Sequence, residues 1–433
     1  MTRNSPGEIA SEPRTEQHNM RYGILHGAFF QMGTAFADPY AVVPLFLSGF
    51  TESRALIGLV VSLIEALSIV PQLGMARRIR RNPGSARPIM LASIWTRCGA
   101  WGIIALTTVL VPNQMLWILV VFMFLVAVYS LGAGFAVLPF RRVISETITP
   151  DRRSTFFGGR LITGGILAAL AGIVVKLILG NEGLTWPRNY GILFAFSFVS
   201  LAIAYSAMSC LRFPSPILTQ SSHVLRPLRE EIRHVWKTYP VLKRLIGVRL
   251  LSGGLPLVLP FLTLYATKDI GIPLGWVGIF VAAQQTGAIF ANIAWIPLGN
   301  RFGTRSVIRA GLGLAVIGLA MIAAFESAVA LALAFALSGG AMSAIKVGFS
   351  GYILELGTPE IRPLLFALEG TLLMPLYFMP LLGGSLADTL GYRPLVLLGS
   401  VSLLGALVLA RRLCEPRRAD PVCGPCVASE DLG

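Results

Sequence analysis

Charged side chains stand inside long apolar runs of this chain, among them Asp38, Glu65, Arg97, Arg160, Lys346 and Glu369, with Arg249 near the start of another, where it is expected to snorkel to the interface. An ionised group at the centre of a membrane-spanning helix costs about 2.5–3.5 kcal/mol on insertion scales, so each should face a partner or a polar path. Glu65 lies midway along residues 58–81, GLVVSLIEALSIVPQLGMARRIRR, with Gly58, Ser62 and Gln72 spaced to share its helical face. A carboxyl at that depth is suited to take up and release a proton as its access alternates. The plainer reading is a structural carboxylate locked to Arg97 of the next span. Asp38 ends a face that carries Gly27, Gln31 and Thr34 at steps of four, three and four. It is expected either to line a polar path or to satisfy backbone that Pro39 leaves unpaired. Arg97 and Lys346 are cationic partners for those acids or for an anionic group on a solute; arginine is not readily deprotonated, so Arg97 attracts charge rather than carrying protons.

The elements that must position these groups are long helices. Residues 58–81 read as one spanning helix: roughly 20 residues at 1.5 Å each match a hydrocarbon core about 30 Å thick, and the closing arginines mark a cytoplasmic face. The stretch recurs with drift at residues 278–302, GIFVAAQQTGAIFANIAWIPLGNRF, where Gln285 stands for Glu65 and Asn292 for Gln72. A second echo is sharper: Glu146, Thr149, Pro150, Arg153 and Arg160 repeat the spacings of Glu355, Thr358, Pro359, Arg362 and Glu369. Two halves built alike around midplane polar groups is the plan of a secondary transporter. Arg160 and Glu369 hold equivalent places, so a bridge between them would close an inner gate; alternatively each snorkels to its own interface. The second half offers the amides Gln284, Gln285 and Asn292 where the first offers charge, which suggests coupling in the first half and solute orientation in the second.

Composition excludes a soluble protein. The 433 residues are 55% hydrophobic and 13% charged, with a mean hydropathy of +0.71, values of a polytopic membrane protein. The formal charge of +15 is not a nucleic-acid signature, because the arginines are not gathered with aromatics on one soluble face. About 27 of the 36 Lys and Arg fall on one side of the expected spans, which places both termini in the cytoplasm of an inner membrane. No cleavable signal peptide is expected, since the first apolar run is long enough to span. Cys98 and Cys210 read as packing residues in spans. Cys423 and Cys426 have redox-dithiol spacing near Cys414, but in a short polar tail with nothing to position them, so no disulfide framework is expected. There is no Gly-Lys-Ser/Thr nucleotide loop and no Ser, His and acid set. His18, His26, His223 and His234 show no paired metal spacing. Neither enzyme activity, cofactor nor metal is expected.

The organisation that results is an all-α membrane protein with twelve transmembrane helices in two pseudo-symmetric six-helix bundles. A polar N-tail (1–21) precedes the first bundle (22–211). A cytoplasmic linker (212–244) follows, whose middle, LREEIRHVWKTYP, forms a surface helix or a solvated connector. The second bundle (245–413) and a C-tail (414–433) complete the chain. The first span, 22–47, should bend at Pro39 and Pro44, and the eleventh, 364–386, should carry Glu369 near its inner end.

At Pro297-Leu-Gly-Asn-Arg-Phe-Gly-Thr-Arg305 the chain resembles the signature loop of the major facilitator superfamily, an acidic residue followed by Arg, Gly and further basic residues. Asn300 stands at the acidic position, with Arg301, Gly303 and Arg305 after it, so the charge-relay latch of that loop is not expected here. Residues 74–81 are a more degenerate version. The stretches YAVVPLFLSGFTESRALIGLV, RRSTFFGGRLITGG, YILELGTPEIRP and PLLGGSLADTLGYR resemble a bacterial branch of the superfamily. The resemblance covers about residues 22–413 and implies alternating access about a central site. The expected function is secondary transport of a small organic solute across the bilayer by a monomer. Coupling to protons is expected through Glu65 or Asp38, with export favoured. An uncoupled facilitator, and a non-transporting receptor or assembly factor on the same scaffold, are the alternatives.

Overall fold

Backbone polar groups find no partner in lipid, so apolar runs of this length must close their own hydrogen bonds as helices. The computed structural model describes residues 13–212, 236–356 and 362–416, and all regular structure among them is helical. The first half contains α1 (Pro13–Phe36), α2 (Val42–Leu47), α3 (Arg54–Ala66), α4 (Val70–Arg81), α5 (Ala86–Leu110), α6 (Met115–Thr147), α7 (Pro150–Leu179) and α8 (Arg188–Ser209). The second contains α9 (Val241–Leu251), α10 (Gly254–Leu264), α11 (Trp276–Phe302), α12 (Thr304–Ala324), α13 (Ala328–Leu356), α14 (Arg362–Leu372), α15 (Met379–Leu390) and α16 (Tyr392–Ala410). Ten stretches among the described residues are long and apolar enough to cross a membrane. Their outer faces carry exposed Leu116, Phe124, Leu177, Phe290 and Val401, side chains suited to acyl chains rather than water.

The expected first and eleventh spans are not among the ten. The first is split by a turn at 37–41 around Asp38 and Pro39, and α1 begins at Pro13, inside the expected polar tail. The eleventh is split between α14 and α15 by the tight turn Met374–Phe378, which holds Pro375 and precedes Pro380. The second span also differs from its expected single helix. It breaks between Ala66 and Val70, where Pro71 offers no amide to continue the ladder and disfavours helical backbone before it. Between the expected fourth and fifth spans, helix continues through Thr147 and resumes at Pro150. Ile148 and Thr149 are the extended residues at that junction. The Thr149 N–H and Oγ1 donate to Glu16 Oε1 at 2.9 and 2.7 Å, which pins the start of α7 to α1.

The chain forms two compact units, residues 1–38 with 63–220 and residues 39–62 with 221–433. Residues 39–62 thus pack with the second unit although they precede most of the first in sequence. In the first unit α1 lies on α7 and α8, and α5 lies on α6 and α8. In the second, α11 and α12 both lie on α13, while α10 meets α2, α15 and α16. The α11–α13 crossing is backbone-close: a Cβ at Gly287 would strike the Ala336 carbonyl and one at Gly339 the Gln284 carbonyl. Of the cysteines, Cys98 is buried and free, Cys210 is free but exposed at the end of α8, and Cys414 is disulfide-bonded. That bond is unexpected from the sequence; Cys423, Cys426, Thr358, Pro359 and residues 213–235 of the linker lie outside the described residues.

Candidate functional site

Arg97 sits on the buried face of α5 with Ser93, Ile94, Cys98 and Trp101, and only 7% of it is exposed. Its stem lies across α6 at Gly132, where a Cβ would come within 2.7 Å of Arg97 Cγ. The guanidinium stacks over Tyr129 at 4.3 Å and lies 5.6 Å from the Phe30 ring and 5.7 Å from the Tyr205 ring. Arg97 Nε and Tyr205 Oη are buried without a hydrogen-bond partner among the described residues. The lock between Glu65 and Arg97 weighed from the sequence is not formed; aromatic faces take its place.

Arg160 of α7 approaches the same cluster from the other side. It donates to the Gly23 carbonyl and, at 3.0 Å, to His26 Nδ1, and its guanidinium lies 5.0 Å from the Phe140 ring. Gly27 leaves room for it, since a Cβ there would lie 2.8 Å from Arg160 Cγ. His26 is buried and stacks on Phe30 and Tyr205. Because Nδ1 accepts from a guanidinium, the imidazole is neutral with its proton on Nε2. Reading histidines for metal spacing passed His26 over, and 134 residues separate it from Arg160, so no local pattern links the two.

The acids lie at helix breaks. Glu65 is half-buried on the last turn of α3, where its carbonyl accepts from Ser68 Oγ at 2.8 Å. Gln72 Nε2 donates to the Ser68 carbonyl at 3.0 Å, so Gln72 braces the α3–α4 break. Asp38 is buried at the break after α1, and neither carboxylate lacks a partner. Gln31 packs on Gly164, where a Cβ would come within 2.6 Å of its amide carbon.

The second unit buries neutral groups. Asn292 donates to the Ala288 carbonyl and accepts from Ser343 Oγ, each at 2.6 Å. Gln284 reaches Met342 Sδ at 3.8 Å, and Gln285 beside it is half-buried. Lys346 is exposed and makes no hydrogen bond or ion pair among the described residues. Glu369 is half-buried within electrostatic reach of Arg249, which donates to Ser252 Oγ at 3.3 Å. In the signature loop Asn300 and Arg301 are exposed, and Arg305 donates to the Leu413 carbonyl at 3.1 Å. Gly303 joins α11 to α12 at φ +83°, a backbone that favours glycine.

The acid missing at Asn300 has a counterpart that the sequence reading passed over. Asp388 stands three residues before Gly391, whose φ is +82°, just as Asn300 stands before Gly303. Asp388 accepts from the Arg54 and Ala55 N–H groups at 2.9 and 3.0 Å and from Ser53 Oγ at 3.3 Å, capping the start of α3. Arg54 donates in turn to Tyr392 Oη and the Ala387 carbonyl, both at 3.0 Å. The matching patterns NRFGTR and DTLGYR were the available signal.

Charged groups buried among long apolar helices, with breaks beside two carboxylates, are the build of a multi-pass membrane protein. Residues 245–422 match the Major Facilitator Superfamily model. Solved structures of the same fold include a D-xylose-proton symporter, at TM-score 0.70 and 15% identity, covering 92% of this chain and 98% of that one. Others are the nucleoside transporter NupG as its D323A mutant, at TM-score 0.65 and 17% identity (91% and 99%), and a bacterial homologue of the iron transporter ferroportin in its inward-facing state, at 0.64 and 15% (92% and 98%). No curated protein sequence matches. Residues 245–422 are thus similar to that superfamily, and the chain takes the fold seen in those solved transporters.

Proposed function

We propose that the protein is a twelve-span secondary transporter of the inner membrane, moving a small organic solute by alternating access as a monomer with both termini in the cytoplasm. Export is favoured, and Glu65 or Asp38 couples it to protons. The observation that carries the reading is the burial of Arg97 in α5 and of Asp38 at the break after α1, 7% and 6% exposed, among the apolar helices of this fold, where unused charge is penalised. The helix break after Glu65 supports it, because discontinuous spans mark the binding region in transporter folds. Glu65→Gln should abolish uphill transport in proteoliposomes while counterflow persists; uphill transport at the wild-type level would remove Glu65 as the coupling group. Since both acids already have partners, an uncoupled facilitator is the second reading, and flux indifferent to a protonophore would favour it. The inner gate of Arg160 with Glu369 has its own test. Arg160→Glu should impair transport and added Glu369→Arg should restore part of it, whereas additive loss removes the gate.

A further inference from the structure

We propose that the first unit holds a recognition site for an organic anion, a carboxylate or phosphate on an aromatic or apolar body, centred on Arg97 with Arg160 and His26 beside it. The inference rests on the transporter reading and adds its substrate class.

Two guanidiniums lie in one cluster of rings: Arg97 over Tyr129, Phe30 and Tyr205, and Arg160 over Phe140 and against His26. The cluster is continuous, since His26 stacks on the same Phe30 and Tyr205 that Arg97 faces. Among the described residues neither arginine pairs with a carboxylate, and His26, accepting from Arg160, adds no negative charge. Cation–π contact returns about 0.5–2 kcal/mol, less than two cations in lipid demand. The positive charge is therefore uncompensated among the described residues.

The site is also incompletely bonded and built to a shape. Arg97, nine-tenths buried, keeps an unused Nε donor, and Tyr205 Oη nearby is likewise unpartnered. Each arginine is bedded on a glycine whose Cβ would force its stem to shift: Gly132 under Arg97 and Gly27 under Arg160. An oxyanion supplies the missing acceptor, and its fork match to guanidinium selects carboxylate or phosphate. The surrounding aromatic faces would suit an aromatic or apolar body.

The test uses the purified full chain in detergent and reads melting temperature, with benzoate and phenyl phosphate as probes and benzamide and benzyl alcohol as neutral counterparts at constant ionic strength. Anions should raise the wild-type melting temperature saturably, by about 5 °C at hundredfold excess over Kd, and neutral probes should not. Arg97→Met should lose the shift and Arg97→Lys should keep part of it. Without any ligand, Arg97→Met should melt at or above wild type, because an unpaired buried cation has gone; a lower melting temperature would assign Arg97 to structure and overturn the site. Neutral probes matching the anions, or a shift that survives in Arg97→Met, would also overturn it. Flux of a neutral solute without anion binding would sink this inference and leave the transporter; anion binding without flux of any solute would do the reverse.

Discussion

Arg97 in α5 and Asn292 in α11 are both buried polar groups of spanning helices, yet their surroundings treat them differently. Asn292 spends its amide on its own helix and on Ser343 of α13, closing its needs inside the second unit. Arg97 has five donors, meets mainly ring faces and keeps Nε unpaired. A closed polar pair holds helices together and asks for nothing more. An open one retains capacity for something outside the fold. Among the described residues, then, the first unit leaves a donor of Arg97 unused, while in the second unit both sides of the Asn292 amide are bonded.

The largest effect should come from closing the bed of Arg97. Gly132→Val places branched carbons where Arg97 Cγ lies, which should destabilise by about 1–3 kcal/mol and, by displacing the guanidinium, reduce flux at least about tenfold. Normal flux would break the contrast at its first-unit side. Next is the cap on α3: Asp388→Ala should lower stability by about 1 kcal/mol, and Asp388→Asn by less, since asparagine also caps. Unfolding in detergent measures both, and equal losses would mean that charge rather than capping matters. Ser343→Ala should cost only about 0.6 kcal/mol and leave flux within about twofold. A collapse of flux there would show that the second unit's amides do more than pack.

The smallest effect belongs to the exposed pair Glu326 and Arg393, 2.6 Å apart. The hydrogen bond from Arg393, then that from Tyr265, holds the Glu326 carboxyl below its ordinary 4.5. A depressed carboxyl stabilises above its unfolded value and loses that contribution as pH falls through the folded one. Melting curves of wild type and Glu326→Gln should therefore keep a constant small separation above pH 4.5 and converge only below it. Convergence already near neutral pH would contradict the direction of the shift.

Periodicity and apolar length were enough to make the helices legible, because lipid permits few other ways to satisfy backbone. They made ten of the spans plain and pointed to α11 as a drifted copy of the stretch holding Glu65. The breaks were harder to read. Pro71 and Pro375 are visible in the sequence, but whether proline bends a helix or interrupts it depends on neighbours such as Gly134, where a Cβ would collide with Ser68 and Pro71. Asp388 was readable in principle from its spacing to Gly391, though not what it would cap.

What the sequence determined by itself is the membrane, the helices and the residues whose charge demands explanation, since all three follow from composition along one dimension. Which groups meet was left to the packing of the helices. His26 and Arg160, or Asp388 and Arg54, are separated by more than a hundred residues, and their contacts depend on how glycines let helices and side chains close up. That Arg97 faces rings instead of Glu65 follows from the packing of α5 against α6 and α8, which no spacing in the chain encodes.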